Sequence, residues 1–201
     1  MNEVVTTMLG ATGVGKTTLL ASIYEQFKQI NKEVNFEFLP DSETEKRLQE
    51  NLEELKSMGD EITAKEGAGG IRGTSAVAGP DSLPKFTFDL CKKARGKKGS
   101  ELLRLIFRDY PGSYVLSSNP VGREFLKKLL RESAAAIVSI DSPAMIEPHQ
   151  PDPLNNKNWN LRKDSGKWHE ARNHPEEILE LFKSAYSRLD EPKLVILAPV
   201  K

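Results

Sequence analysis

The sequence predicts an α/β fold in which helices cover both faces of a mostly parallel sheet with one antiparallel strand. Two observations lead to this prediction. Short β-type runs alternate with helical patterns along the whole chain, and such alternation is typical of parallel strands joined by helices. In the middle of the chain, two β-type runs at 85–90 and 102–107 follow each other directly, and a hairpin between them supplies the antiparallel strand.

The individual elements follow from hydrophobic spacing and from start and stop signals. Strand-like runs alternate or are uniformly apolar, whereas the helical stretches repeat apolar residues three and four positions apart. Ser42 and Glu45 indicate a capping box, and Asn119 followed by Pro120 indicates a helix start. The predicted strands are 4–9, 34–39, 85–90, 102–107, 134–140 and 194–198, and the predicted helices begin at Thr17, Ser42, Pro120 and Pro175.

Composition favours one globular domain over residues 1–201, with inserts at about 40–66 and 146–174. The 29 basic and 29 acidic residues cancel, so no net charge favours a nucleic-acid partner. The single cysteine, Cys91, excludes an internal disulfide and favours a reducing, cytoplasmic location. The apolar runs are too short to cross a bilayer, so we expect no membrane segment.

The stretch from Gly10 to Thr18, between the first strand and the first helix, fits G-x-x-x-x-G-K-S/T, the phosphate-binding P-loop. Glycines permit a tight turn whose N–H groups point at phosphate oxygens, and the next helix presents its positive end to the same anion. We therefore expect Lys16 to reach the β- and γ-phosphates and the Thr17 hydroxyl to bind Mg²⁺. The other predicted phosphate-binding positions are Thr12, Gly13, Val14, Gly15 and Thr18. The fold class is accordingly predicted to be a three-layer P-loop NTPase fold.

Asp109-Tyr110-Pro111-Gly112 follows the predicted strand at 102–107 after one residue, Arg108. In this position it resembles Asp-x-x-Gly, the third signature of the Ras-like, translation-factor-related (TRAFAC) class of P-loop GTPases. The resemblance implies that Asp109 holds Mg²⁺ through water and that the Gly112 N–H senses the γ-phosphate. Two alternatives remain open: a simple turn capped by Asp109, and an ATPase in which Asp109 is the acidic residue of a Walker B strand.

The same class carries a switch threonine just before the first hairpin strand, and Thr74 matches it in position, with Ser75 and Ser82 as rivals. The resemblance implies that Thr74 binds the metal. Arg72 is a candidate for a charge-stabilising arginine that acts within the same chain. Thr74 and Arg72 lie in a glycine-rich stretch at 67–80, which is suited to a loop that orders around the γ-phosphate and is released after hydrolysis.

Two positions depart from the pattern of this class. Ser113 stands where a water-positioning glutamine often follows the glycine, so slow intrinsic hydrolysis is expected. Pro199-Val200-Lys201 stands where Asn-Lys-x-Asp would specify guanine, and Val200 replaces the asparagine. Lys201 is the candidate lysine whose stem covers the base. The sequence is expected to stop before the end of the nucleotide-binding domain.

The expected function is binding of GTP or GDP with Mg²⁺ and slow hydrolysis of GTP, with loops that switch with the nucleotide and a protein effector or activator as partner. Two other functions remain open. One is a P-loop ATPase or nucleotide kinase. The other is a non-catalytic nucleotide-gated binding module, which Ser113 favours.

Overall fold

The computed structural model describes residues 2–62, 84–93, 99–142, 173–187 and 193–200. Within these ranges, six strands form one sheet in the order β2-β3-β4-β1-β5-β6. The strands are β1 (Glu3–Leu9), β2 (Phe36–Pro40), β3 (Lys85–Lys92), β4 (Glu101–Asp109), β5 (Ala135–Asp141) and β6 (Leu194–Val200). The helices in the same ranges are α1 (Lys16–Glu33), α2 (Ser42–Ile62), α3 (Pro120–Glu132) and α4 (Pro175–Tyr186).

β3 is the antiparallel strand that the hairpin predicted. It runs antiparallel to its neighbours β2 and β4, whereas β4, β1, β5 and β6 pair in parallel. The prediction of a mostly parallel sheet with one antiparallel strand is therefore confirmed. Because β1 lies between β4 and β5, the residues that follow these three strands meet at one edge of the sheet.

Helices flank both faces of the sheet, each over its own hydrophobic core. The core under α1 and α2 includes Met8, Leu20 and Phe88, and the core under α3 and α4 includes Leu9 and Leu126. Neighbouring residues of β1 thus point to opposite faces of the sheet, which explains why this strand carries apolar residues on both faces. The arrangement is α/β and is compatible with three layers.

The start of α2 corrects one detail of the sequence prediction. The capping box of Ser42 and Glu45 is wrong, because Ser42 already lies inside the helix. Asp41 caps α2 instead, and its Oδ1 accepts a hydrogen bond from the Thr44 N–H at 2.7 Å. The other predicted strands and helices agree with the structure to within a few residues.

The two predicted inserts differ in what the structure describes. The first, at 40–66, contains α2, whose Leu48 is fully buried in the core under α1. Thr44 also ties α2 to the sheet, because its Oγ1 accepts a hydrogen bond from the Thr87 N–H of β3 at 2.7 Å. The second, at 146–174, lies outside the described residues except for its last two positions. In the described ranges, no helix is both long enough and apolar enough to cross a membrane.

Candidate functional site

The loop between β1 and α1 has a backbone that only glycine adopts readily. Gly10, Gly13 and Gly15 have φ values of +141°, +73° and +103°, in the left-handed half of conformational space where a Cβ is unfavourable. A Cβ at Gly10 would also lie 2.8 Å from the main-chain oxygen of Ser139 in β5. The loop is therefore fitted closely to the neighbouring strand.

The N-terminus of α1 faces this loop without a side-chain cap. The N-cap residue, Gly15, offers no side chain to hydrogen-bond the helix end, and the first turn holds no acidic residue. By contrast, Asp41 caps α2 and Asn119 caps α3, and Glu176 and Glu177 lie in the first turn of α4. The N–H groups and the positive dipole end of α1 thus remain able to bind an anion.

Lys16 lies within the loop with its ammonium group enclosed. Its side chain is nearly buried, and Nζ donates hydrogen bonds to the main-chain oxygens of Gly10 and Ala11, both at 3.1 Å. Burial lowers the pKa of Lys16, while the nearby Asp109 carboxylate acts in the opposite direction. An enclosed cation held by neutral carbonyl groups gains charge compensation when an anion binds.

Asp109 and Thr17 join the end of β4 to the start of α1. The Thr17 hydroxyl donates a hydrogen bond to Asp109 Oδ2 at 2.8 Å, and Asp109 is only 1% exposed. The strand register explains the contact, because Met8 at the end of β1 lies opposite Asp109. Carboxylate and hydroxyl oxygens are ligands that suit Mg²⁺, which usually keeps several waters and binds substrate phosphates as well. Thr17 and Asp109 therefore fit their predicted role as ligands of one Mg²⁺ ion.

The described residues contain no cluster of three or more histidine, cysteine or acidic side chains that would hold a metal by themselves.

Gly112 brings the segment after β4 into main-chain contact with the P-loop. It is the first residue of a 3₁₀ turn, Gly112–Val115. A Cβ at this position would lie 2.2 Å from the Thr12 nitrogen and 2.4 Å from the Ala11 carbonyl carbon. No side chain fits into this contact, which explains the need for glycine at the last position of Asp-x-x-Gly.

Tyr110, between the two predicted site residues, is a structural anchor. It is 4% exposed in the core under α3 and α4, and its ring meets Phe125 edge-on with centroids 5.8 Å apart. Burial raises the pKa of Tyr110 to about 12. This anchor fixes the backbone between Asp109 and Gly112.

The other side of the P-loop is bordered by the end of β6. A Cβ at Gly15 would lie 3.6 Å from Cγ2 of Val200, which is an ordinary van der Waals separation. Val200 pairs with Asp141 at the end of β5. The residue that stands in place of the expected asparagine thus borders the P-loop with methyl groups.

The structure brings together most of the predicted site: Lys16, Thr17, Asp109 and Gly112, with Thr12, Gly13, Val14, Gly15 and Thr18 around them. The predicted roles of Thr74 and Arg72, and of Lys201, concern positions outside the described residues and stay predictions. Ser75 and Ser82, the rivals of Thr74, also lie outside them.

The sequence interpretation missed Arg123, which binds the segment that carries Gly112. Its Nη1 donates to the main-chain oxygen of Val115 and to Glu177. One sequence signal was present: Arg123 lies near the N-terminus of α3, where the helix dipole disfavours a cation. A cation in this position indicates a specific partner elsewhere in the fold.

Comparison of the chain with protein families, with curated proteins and with solved structures finds no match. The interpretation of the site therefore depends on its residues and their geometry.

Proposed function

We propose that this chain binds a nucleoside triphosphate with Mg²⁺ at the P-loop and hydrolyses its γ-phosphate. The observation that carries the proposal is the 2.8 Å hydrogen bond between Thr17 and Asp109, next to the enclosed ammonium of Lys16. A hydroxyl, a buried carboxylate and a lysine at the positive end of a helix are the groups needed to bind a polyphosphate with its metal.

Each group has a distinct task in this proposal. The loop N–H groups and Lys16 neutralise the phosphate oxygens, and the Gly112 N–H contacts the terminal phosphate. Bound Mg²⁺ would neutralise charge on the β- and γ-phosphates, with Thr17 as a direct ligand and Asp109 as a ligand through water. Thr74 is the further proposed metal ligand.

Hydrolysis proceeds by in-line attack of water on the γ-phosphorus. The bond from the γ-phosphorus to the β–γ bridging oxygen breaks, and the products are the nucleoside diphosphate and inorganic phosphate. Positioning and electrostatic stabilisation supply the rate acceleration in such reactions. The Ser113 side chain lacks the carboxamide with which a glutamine would orient the water, and this supports slow intrinsic turnover. Arg72 is the proposed source of additional positive charge in the transition state.

We further propose that the nucleotide is GTP and that the chain is a GTPase of the Ras-like class, with a protein effector or activator and a cytoplasmic location. Support comes from Asp109-Tyr110-Pro111-Gly112 at the end of β4, next to β1 in the sheet. The glycine-rich stretch at 67–80 supports loops that change with the nucleotide. Lys201 is the proposed contact to the base.

Titration of fluorescent GTP and ATP in the presence of Mg²⁺ tests the proposal, together with Lys16→Ala. We expect GTP to bind more tightly than ATP, and Lys16→Ala to weaken binding about 100-fold, because a buried charge-assisted contact is lost. Lys28→Ala is the matched control, since Lys28 lies on the same helix but is exposed and pairs with Glu25.

Unchanged binding by Lys16→Ala would refute the site. If ATP binds more tightly than GTP, the proposed GTPase activity gives way to the alternative of an ATPase or nucleotide kinase. Nucleotide binding with no phosphate release above the buffer rate would favour a binding module.

A further inference from the structure

Arg123 binds two other segments of the chain, one that lies 8 positions before it and one that lies 54 positions after it. Its Nη1 donates to the main-chain oxygen of Val115, the last residue of the 3₁₀ turn, and to the Glu177 carboxylate on α4. Its Nη2 donates to the main-chain oxygen of Glu177 at 3.2 Å. The Ser117 hydroxyl donates to the same carboxylate at 2.7 Å. The segment after Gly112 is thus tied to α4 by a charged pair with several hydrogen bonds.

The segment held in this way is the one that touches the P-loop. Gly112 and Val115 are the first and last residues of a single 3₁₀ turn. Gly112 packs against the Thr12 nitrogen, while the Val115 side chain is buried in the core under α3 and α4. Because Gly112 and Val115 belong to the same four-residue turn, we expect a shift of Val115 to displace Gly112 from the P-loop.

The charged pair is shielded enough to hold this position. The Arg123 side chain is 13% exposed and that of Glu177 is 30% exposed, so solvent screens them less than a surface pair. The hydrogen bond from Ser117 and the Arg123 guanidinium lower the pKa of Glu177. The pair also compensates the unfavourable position of Arg123 near the positive end of α3.

We propose that Arg123 is a positioning residue that holds Gly112 against the P-loop through Val115 and Glu177, and thereby makes the site prefer a triphosphate to a diphosphate. The inference rests on the proposed nucleotide site. The preference would arise because the two ligands share some phosphates and differ in one. The loop and Lys16 can bind the shared phosphates, whereas Gly112 is expected to contact only the terminal phosphate of the triphosphate.

The chain offers a matched control at the other end of the same two helices. Arg131 joins α3 to α4 by donating from Nε to the main-chain oxygen of Ala185 at 3.0 Å and from Nη2 to that of Ser184 at 3.2 Å. It binds main-chain oxygens of α4, as Arg123 does, but it has no contact with the turn at Gly112–Val115 among those described. Its loss weakens the helix pair without releasing Gly112.

The experiment measures the affinities of fluorescently labelled GDP and of a labelled GTP analogue whose β–γ bridging oxygen is replaced by an NH group. The quantity compared is the ratio of the two dissociation constants in the unmodified chain, Arg123→Met and Arg131→Met, with thermal unfolding to confirm folding. We expect Arg123→Met to reduce the preference for the triphosphate about fivefold or more, the effect of one lost hydrogen-bonded contact, and Arg131→Met to leave it unchanged.

An unchanged ratio in folded Arg123→Met would overturn the inference, and so would an equal reduction in Arg131→Met. If Arg123→Met does not fold, Glu177→Gln decides, because it removes the carboxylate charge that binds Nη1 of Arg123. A reduced preference in Glu177→Gln supports the inference, and an unchanged one overturns it. If the unmodified chain binds neither ligand, the proposed function itself fails, which is a different result from binding without a role for Arg123.

Discussion

The P-loop has different neighbours on its two sides. On the β4 side it meets the buried carboxylate of Asp109 and the main chain of Gly112. On the β5 and β6 side it meets the main-chain oxygen of Ser139, next to Gly10, and the methyl groups of Val200, next to Gly15. One side therefore presents a charged group and the main chain of a turn, whereas the other presents a strand and an apolar side chain.

Under the proposed function, this difference separates two tasks. A carboxylate beside a hydroxyl can bind a metal ion, and the N–H of a turn can donate a hydrogen bond to an added phosphate. A carbonyl oxygen within a strand and an apolar side chain bind neither the metal ion nor the phosphate, but they support the shape of the loop. We therefore expect substitutions on the β4 side to change metal dependence and phosphate preference, and substitutions on the β6 side to change stability.

The largest effect is expected from Asp109→Asn. The amide is nearly isosteric, but it removes the negative charge beside Thr17 and Lys16, so the affinity for Mg²⁺ in the complex should fall. Phosphate release in a single turnover should slow about 100-fold or more, as for loss of a preorganised electrostatic group. Half-saturation by Mg²⁺ should shift to higher concentration in the same assay.

Asp89→Asn is the matched control for this change, because Asp89 is a partly buried aspartate of the same sheet that pairs with Arg104 on β4. It should retain the unmodified rate. Equal rates in Asp109→Asn and in the unmodified chain would exclude Asp109 from the reaction. The β4 side of the P-loop would then have no special role in metal dependence.

Gly112→Ala should have the next largest effect. The added methyl group would lie 2.2 Å from the Thr12 nitrogen, and because that atom belongs to the main chain, the turn must move away from the P-loop. We expect the affinity for the triphosphate analogue to fall about tenfold, in line with the cost of overpacking a closed contact, with a smaller loss for GDP. Ser113→Ala, in the same turn, adds no atom at the P-loop and is the control. Equal losses for both ligands would show that Gly112 supports the loop without reading the terminal phosphate.

The sequence predicted the parts of the molecule that depend on local spacing. The strand before Gly10, the helix that starts at Lys16 and the hairpin that makes β3 antiparallel were all accessible, because periodicity and turn residues act within a few positions. The glycine positions of the P-loop also agree with their positive φ values. The local signal was ambiguous at the start of α2, where Asp41, Ser42 and Thr44 are all capping residue types.

The parts that could not be predicted depend on distances between remote segments. The order of the strands places Asp109 beside β1, where its carboxylate reaches Thr17; the resemblance to a family signature implied this pair, whereas local spacing did not. The pair of Arg123 and Glu177 joins residues 54 positions apart, for which no local pattern exists. The same holds for the contact of Val200 with the P-loop, which follows from the pairing of β6 with β5.

The smallest effect on the ligand is expected from Val200→Ala, on the apolar side. The change removes two methyl groups beside Gly15 from a partly buried side chain. The free energy of unfolding, measured with urea, should therefore fall by about 1 kcal/mol. Nucleotide affinity should stay within about twofold, because a twofold change corresponds to about 0.4 kcal/mol, which is less than the energy of one hydrogen bond. A larger change in the preference between GTP and ATP would mean that Val200 contacts the base. The β6 side would then determine which nucleotide binds, while the β4 side would still determine which phosphates are sensed.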